Sequence, residues 1–182
     1  MEDSKKKEGS FMPMYIAMFI SLTIAFFWQH FPLIKNTAHA FLNPTIGVVL
    51  SWNLELGMIL IVFFISLFMT VVQKYATDQE TLREMKKEQK RLNDEMKSVR
   101  DHPEKLMELQ KESMKLIAPM MKLSMRSAVY TIIPLILLFR WFNDHFISAG
   151  NPHIFGIFSW FWFYILGSLI FSSILRKALN VV

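Results

Sequence analysis

The 182-residue sequence has no cysteine, no glycine-rich loop and, over most of its length, almost no charge. Without cysteine there are no disulfides, thiol nucleophiles or cysteine metal ligands. The redox compartment stays open, because a protein held in a bilayer needs no disulfide staple. Nucleophile elbows, HxxxH and HExxH pairs and carboxylate clusters are missing too, which removes the common signatures of hydrolytic and metal chemistry. Four of the five histidines (His30, His39, His145 and His153) gather near one predicted membrane face, but no such partners accompany them. No catalytic group, metal or cofactor is therefore expected. Charge is segregated: residues 74–126 carry 13 of the 20 Lys and Arg and 10 of the 15 Asp and Glu, leaving twelve charges for the other 129 residues. That pattern describes membrane spans with one charged excursion. The net charge of +5 does not point to nucleic acid, because the signs alternate within the excursion, and no specific DNA partner is expected.

What is present is apolar: 53% of residues are hydrophobic, with 17 Phe and 5 Trp. A first run from Phe11 to Phe31 reaches the about 20 residues that a bilayer core requires. Lys5, Lys6 and Lys7 precede it and favour a cytosolic N-terminus. Ala38-His39-Ala40 resembles a cleavage site, so the run reads as a retained anchor or a cleaved signal, and both place residue 41 outside. Asn43-Pro44 predicts a short interfacial helix over about 44–52, and Asn53 a cap for a span over 54–73.

Within the excursion, Leu82, Met85, Gln89, Leu92, Met96 and Val99 step by three and four, and Leu106, Leu109, Ser113, Leu116, Met120 and Leu123 repeat the steps. The spacing predicts an antiparallel coiled-coil hairpin, with Asp101 capping the second arm and Pro103 in its first turn. Each arm would project roughly 40 Å from the membrane. A pair of amphipathic helices lying on the bilayer is the alternative. Two more spans are expected over about 128–147 and 154–175. The 142–153 connection has no Lys or Arg and the 32–43 connection only Lys35, so both termini and the hairpin belong in the cytosol.

The expected fold class is thus an all-α integral protein of the cytoplasmic membrane. It has an N-terminal tail and anchor or signal (1–40), an interfacial helix and first core span (41–73), the hairpin (74–126), and two further core spans with a cytosolic C-terminus (127–182).

Polar side chains recur on the cytosolic halves of the three core spans. Ser66, Thr70 and Lys74 form one stripe; Ser127 and Thr131, preceded by Arg126, form a second; Ser168, Ser172 and Arg176 form a third. Spacing of i, i+4 keeps each stripe on one helix face. Three stripes at one depth can line a hydrated, cytosol-open recess, or they can serve close helix packing and bond back to their own carbonyls. Arg140 falls about two thirds of the way across its span, where Asp144 at i+4 is the natural partner for a residue that is costly in lipid. A functional charge in the membrane interior is the other reading of Arg140. Met114, Met120, Met121 and Met125 crowd the base of the hairpin, where thioethers suit either varied hydrophobic clients or plain seam filling.

Taken in order, Phe41-Leu42-Asn43-Pro44, Gln73-Lys74-Tyr75-Ala76-Thr77-Asp78-Gln79, Asp101-His102-Pro103-Glu104-Lys105, the Met120 to Met125 segment and Ile174-Leu175-Arg176-Lys177 carry a resemblance. Residues 41–182 resemble the archaeal YidC-like proteins of the Oxa/YidC/Alb superfamily, whose eukaryotic relative is the insertase subunit of the ER membrane protein complex. The resemblance implies a membrane protein insertase and chaperone, with three core spans around a cytosol-facing hydrophilic groove. It implies nascent membrane proteins as substrates, membrane lipids as surroundings, and a coiled coil that meets the ribosome, translocon components or the client. It also implies a groove cation on the first core span, for which Lys74 is the nearest match and Arg126 a second. An ion channel and a coiled-coil tether are the competing functions. The outer halves of the spans lack the aligned polar rings that a channel needs.

Overall fold

The structure, a computed structural model, describes residues 11–181. Lys5 to Lys7 lie outside the described residues. Seven α-helices follow one another among the described residues: α1 (Met12–Phe26), α2 (Pro32–Leu42), α3 (Val48–Trp52), α4 (Leu54–Ala76), α5 (Gln79–Ser98), α6 (Pro103–Ser148) and α7 (Trp160–Ala178). Among the described residues there is no strand, only an isolated bridge between Ile154 and Phe158. Three helices among the described residues are long and apolar enough to cross a membrane: α4, α6 and α7.

The N-terminal run is shorter as a helix than the sequence predicts. α1 has 15 residues and gives way to a 3-10 turn, Trp28–His30, after which Pro32 keeps Phe31 out of helical geometry. Helix and turn nevertheless run alongside α6 and parallel to it. Phe11 lies under the Lys122 ammonium at 5.7 Å, and Trp28 Nε1 donates to Asp144 Oδ2 at 2.8 Å, 22 residues further along α6.

The predicted interfacial helix over 44–52 starts earlier. Helical backbone begins at Pro32 and continues through a π turn, Asn43–Gly47, into α3. Pro44 lacks the N–H that would reach Ala40, and a π turn accommodates such a defect without ending the helix. α3 then folds back on α4 at Gly57, where a Cβ would lie 2.8 Å from the Val49 carbonyl oxygen, so only glycine permits the approach. Asn53 caps α4 as expected, its side chain accepting from Leu56 N at 2.9 Å.

α5 packs along the first half of α6. All twelve expected seam positions are buried or half-buried, with Leu82, Leu92, Leu109 and Ser113 the deepest. The 20 residues of α5 give an arm of about 30 Å, shorter than the spacing implied. At the tip His102, not Asp101, is the residue before the helix, and it makes no side-chain cap; Pro103 takes the first turn as predicted.

α5 itself starts at Asp78, whose Oδ1 accepts from Thr81 N at 3.1 Å and whose Oδ2 accepts from the Thr81 hydroxyl at 2.8 Å. The Thr81 amide and hydroxyl hold the Asp78 carboxyl below its ordinary pKa. The cap therefore contributes fully above the unfolded carboxylate pKa of about 3.9, and its contribution is lost as pH falls through the lower folded value. Asp78→Ala is expected to cost about 1 kcal/mol of local stability at neutral pH. Hydrogen exchange at residues 79–83 should accelerate in the variant, and the two proteins should converge when the pH is brought below the cap's titration.

Rather than ending at the membrane, the second arm continues as the third predicted span, in one helix of 46 residues. Pro119 and Pro134 sit inside it and leave the carbonyls of Lys115 and Tyr130 without their usual partners. The last span begins at Trp160, later than the predicted 154. Gly150, Asn151, Phe155 and Gly156 all adopt left-handed backbone, which a right-handed helix cannot include.

Packing is concentrated at one end of the bundle. Met58, Ile61 and Val62 of α4, Leu138, Trp141, Phe142 and Phe146 of α6, Tyr164 of α7, Leu50 and Ile154 form one buried cluster. Trp160 stacks on Phe146, and Phe139 meets Tyr164 edge-on at 4.8 Å, tying α6 to α7 here. This aromatic end also collects all five tryptophans, including Trp52 just before α4 and Trp162 near the start of α7. Trp and Tyr favour the membrane interface in this way.

Candidate functional site

Away from the aromatic end, toward the α5–α6 hairpin, α6 and α7 part and a recess opens. Its polar section, of about 390 Å³, is walled by Met69 and Gln73 of α4, Lys86 of α5, Ser124, Ser127, Ala128 and Thr131 of α6, and Arg176 of α7. Deeper along the bundle Met69 and Thr131 also border an apolar section of about 220 Å³, completed by Phe64, Ile65, Phe68, Pro134, Leu135 and Leu138. Phe64 and Phe68 are exposed as well as lining, so this section opens sideways, toward the surroundings of the spans. The recess thus grades from charged, through hydroxyl, to hydrocarbon over about four helical turns of α6.

Three predicted residues come together there: Ser127, Thr131 and Arg176. Their hydroxyls are only mildly polar toward the cavity, since Ser127 Oγ donates to the Ser124 carbonyl at 3.0 Å and Thr131 Oγ1 to that of Ser127 at 3.2 Å. Ser66 and Thr70 lie elsewhere, buried in the packed face of α4, where Thr70 Oγ1 donates to the Ser66 carbonyl at 2.7 Å. The face of α4 that meets the recess carries Ile65, Met69 and Gln73, each one residue before the predicted stripe and so about 100° around the helix. Ser168 bonds back to the Ile165 carbonyl and, like Ser172, is half-buried outside these walls. Lys74 is exposed, and Arg126 lies close enough to Asp78 to favour its ionised form.

The cation that sequence reasoning missed is Lys86. It follows the seam residue Met85 directly, and a residue flanking the seam at the base of the hairpin leans over the bundle mouth; that flanking position was the available signal. Beside the polar section, Met120, Met121 and Met125 join Ile117, Gln89 and Ser124 around a second apolar groove of about 280 Å³. Ser124 borders both, so the two are adjacent. Met114 is exposed on the hairpin and lies outside this groove.

At the aromatic end the expected Arg140–Asp144 pair does not form. Asp144 Oδ2 instead receives Trp28 Nε1 at 2.8 Å, contacts His39 Nε2 at 3.2 Å and has the Lys35 ammonium at 3.6 Å. Residues more than a hundred positions away outcompete the local one because α1 and α2 pack across α6. Arg140 is nine residues from Thr131, and at about 100° per residue it faces the opposite side of α6 from the recess. α1 therefore leaves the recess open. Among the described residues no group of three or more His, Asp or Glu side chains is placed to hold a metal ion.

A multi-pass helical membrane protein, closed by aromatic packing at one end and open to one side at the other, is the class that this arrangement defines. The family model of integral membrane proteins that are EMC3/TMCO1-like matches residues 39–151, from within α2 to just past the end of α6. The chain belongs to that family, which is related to the Oxa1/YidC/Alb3 insertase superfamily. No curated protein and no solved structure matches the chain.

Proposed function

We propose that the protein is an insertase for hydrophobic segments, of the archaeal YidC-like kind, working in the cytoplasmic membrane with the hairpin and both termini in the cytosol. The observation that carries this reading is the graded recess. A client's apolar segment meets Phe64, Phe68, Pro134 and Leu135 on a wall that opens sideways, while its polar flank stays beside Gln73, Ser127, Lys86 and Arg176. Carrying a charged residue through the bilayer centre costs about 2.5–3.5 kcal/mol on insertion scales, and a wetted recess removes part of that cost. No bond is made or broken, so the task needs no catalytic residue and no nucleotide. The charges on the walls are basic, which suits acidic flanks.

In this reading the Met-lined groove of Met120, Met121 and Met125, with Met114 further out, receives the client first, and the hairpin acts as a coiled coil that meets the ribosome or a translocon component. The positions for a photocrosslinking probe are Ser127, Thr131 and Met69 in the recess and Met120 and Met121 in the Met-lined groove, tested against a short membrane-protein nascent chain on stalled ribosomes. Adducts to the client from all three recess positions are expected. Adducts from Met120 or Met121 alone would replace insertion with a tethering role, and their absence everywhere would remove client handling altogether.

A further inference from the structure

Arg140 is left over by every role described so far. Its Nε is buried with no hydrogen-bond partner, and it makes no ion pair among the described residues, because the nearby carboxylate of Asp144 is taken by Trp28, His39 and Lys35. Its guanidinium carbon lies 5.9 Å from the centre of the Trp28 ring, whose own surface is fully buried. Lys35 and Arg140 against the single carboxylate of Asp144 leave an excess of positive charge in the cluster. An arginine in a membrane span is paired, reaches the interface or lines water.

Depth decides among these. Arg140 directly precedes Trp141 and touches Trp28, two of the five tryptophans gathered at the aromatic end, and such belts mark the level where headgroups meet acyl chains. The α2 helix crosses α6 at this level and brings Lys35 with it. A planar guanidinium braced on an aromatic ring presents its remaining donors as a fork that fits a phosphate. The recess lies on the other side of α6, so a client segment there is not the counter-ion.

We propose that Arg140, braced on Trp28 and clustered with Lys35, binds the phosphate of a phospholipid headgroup in the angle between α1, α2 and α6. The site is independent of insertion, and either can fail without the other.

Native mass spectrometry of the full-length protein with phosphatidylglycerol tests it. Wild type should retain one phosphatidylglycerol more per chain than Arg140→Gln, and Arg140→Lys should recover part of the difference. In lipid-free detergent the wild-type and Arg140→Gln proteins should melt together, with added phosphatidylglycerol raising the Tm of the wild type alone. Equal retention by wild type and Arg140→Gln overturns the site. Should the variant fail to fold, photoactivatable phosphatidylglycerol on the wild type still decides: adducts within residues 28–35 or 139–144 support the site, and adducts only elsewhere overturn it. Equal protection by inorganic phosphate in lipid-free detergent would assign the anion to solution and overturn the lipid source.

Discussion

Filling the recess with Ser127→Trp together with Thr131→Trp should lower insertion of a client with a charged flank at least about tenfold, equivalent to about 1.4 kcal/mol on the barrier. Both side chains face the cavity, and Thr131 borders its polar and its apolar sections, so two indoles there displace the water that the flank would use. The effect should shrink for a client whose flank is short and uncharged, because that client gains least from a wetted path. Leu169→Trp, on the exposed side of α7, supplies the control and should insert normally. Reconstituted vesicles with a protease-protection readout measure this directly. Normal insertion by a folded double variant would sink the recess as the working surface.

The second large effect concerns stability. Trp141 is fully buried, lies against His145 with ring centres 4.9 Å apart, and donates Nε1 to Asn43 Oδ1 at 2.8 Å, so it joins α6 to the π turn that precedes α3. Trp141→Ala should cost about 3–5 kcal/mol through lost packing and the cavity left behind. For a chain of this size that corresponds to a fall of about 10 °C in Tm. Trp141→Phe keeps the ring contact and orphans Asn43, and should cost about 1–3 kcal/mol. Melting in detergent separates the two variants; an alanine variant as stable as wild type would mean that the aromatic end does not hold the bundle together.

Local signals were legible in the sequence and long-range ones were not. Asn53 announced its helix because a cap acts within three residues, and the seam from Leu82 to Leu123 announced the hairpin because its repeat is strictly periodic. Ser127 and Thr131 were found for the same reason: one helix face carries them both. The α4 wall was placed about 100° off, since Ser66 and Thr70 are polar by chemistry but serve packing, and Met69 and Gln73 gave no stripe that hydropathy would notice. Pro44 reads as a helix start, yet it lies inside continuous helical backbone, as Pro119 and Pro134 do, where neighbouring helices and a π turn absorb the defect. Asp144 could not be assigned its partners, because Trp28, Lys35 and His39 reach it only once α1 and α2 have crossed α6. The delayed start of α7 follows from two left-handed residues, Phe155 and Gly156, the first of them not glycine.

The unbroken α6 makes the protein a lever. Its 46 residues form a rod of about 70 Å, clamped where Trp141, Phe142 and Phe146 are packed and free at the Pro103 tip. Were the rod to swing about that clamp, carrying α1 along its Lys122 to Asp144 stretch, Thr131 would move through roughly a quarter to a third of the tip's excursion, because Thr131 stands 11 residues from Phe142 and the tip 39. A displacement of several ångströms at the far end would then reach the recess as an ångström or two. Pro119 and Pro134 set how much of the stroke is lost to bending on the way.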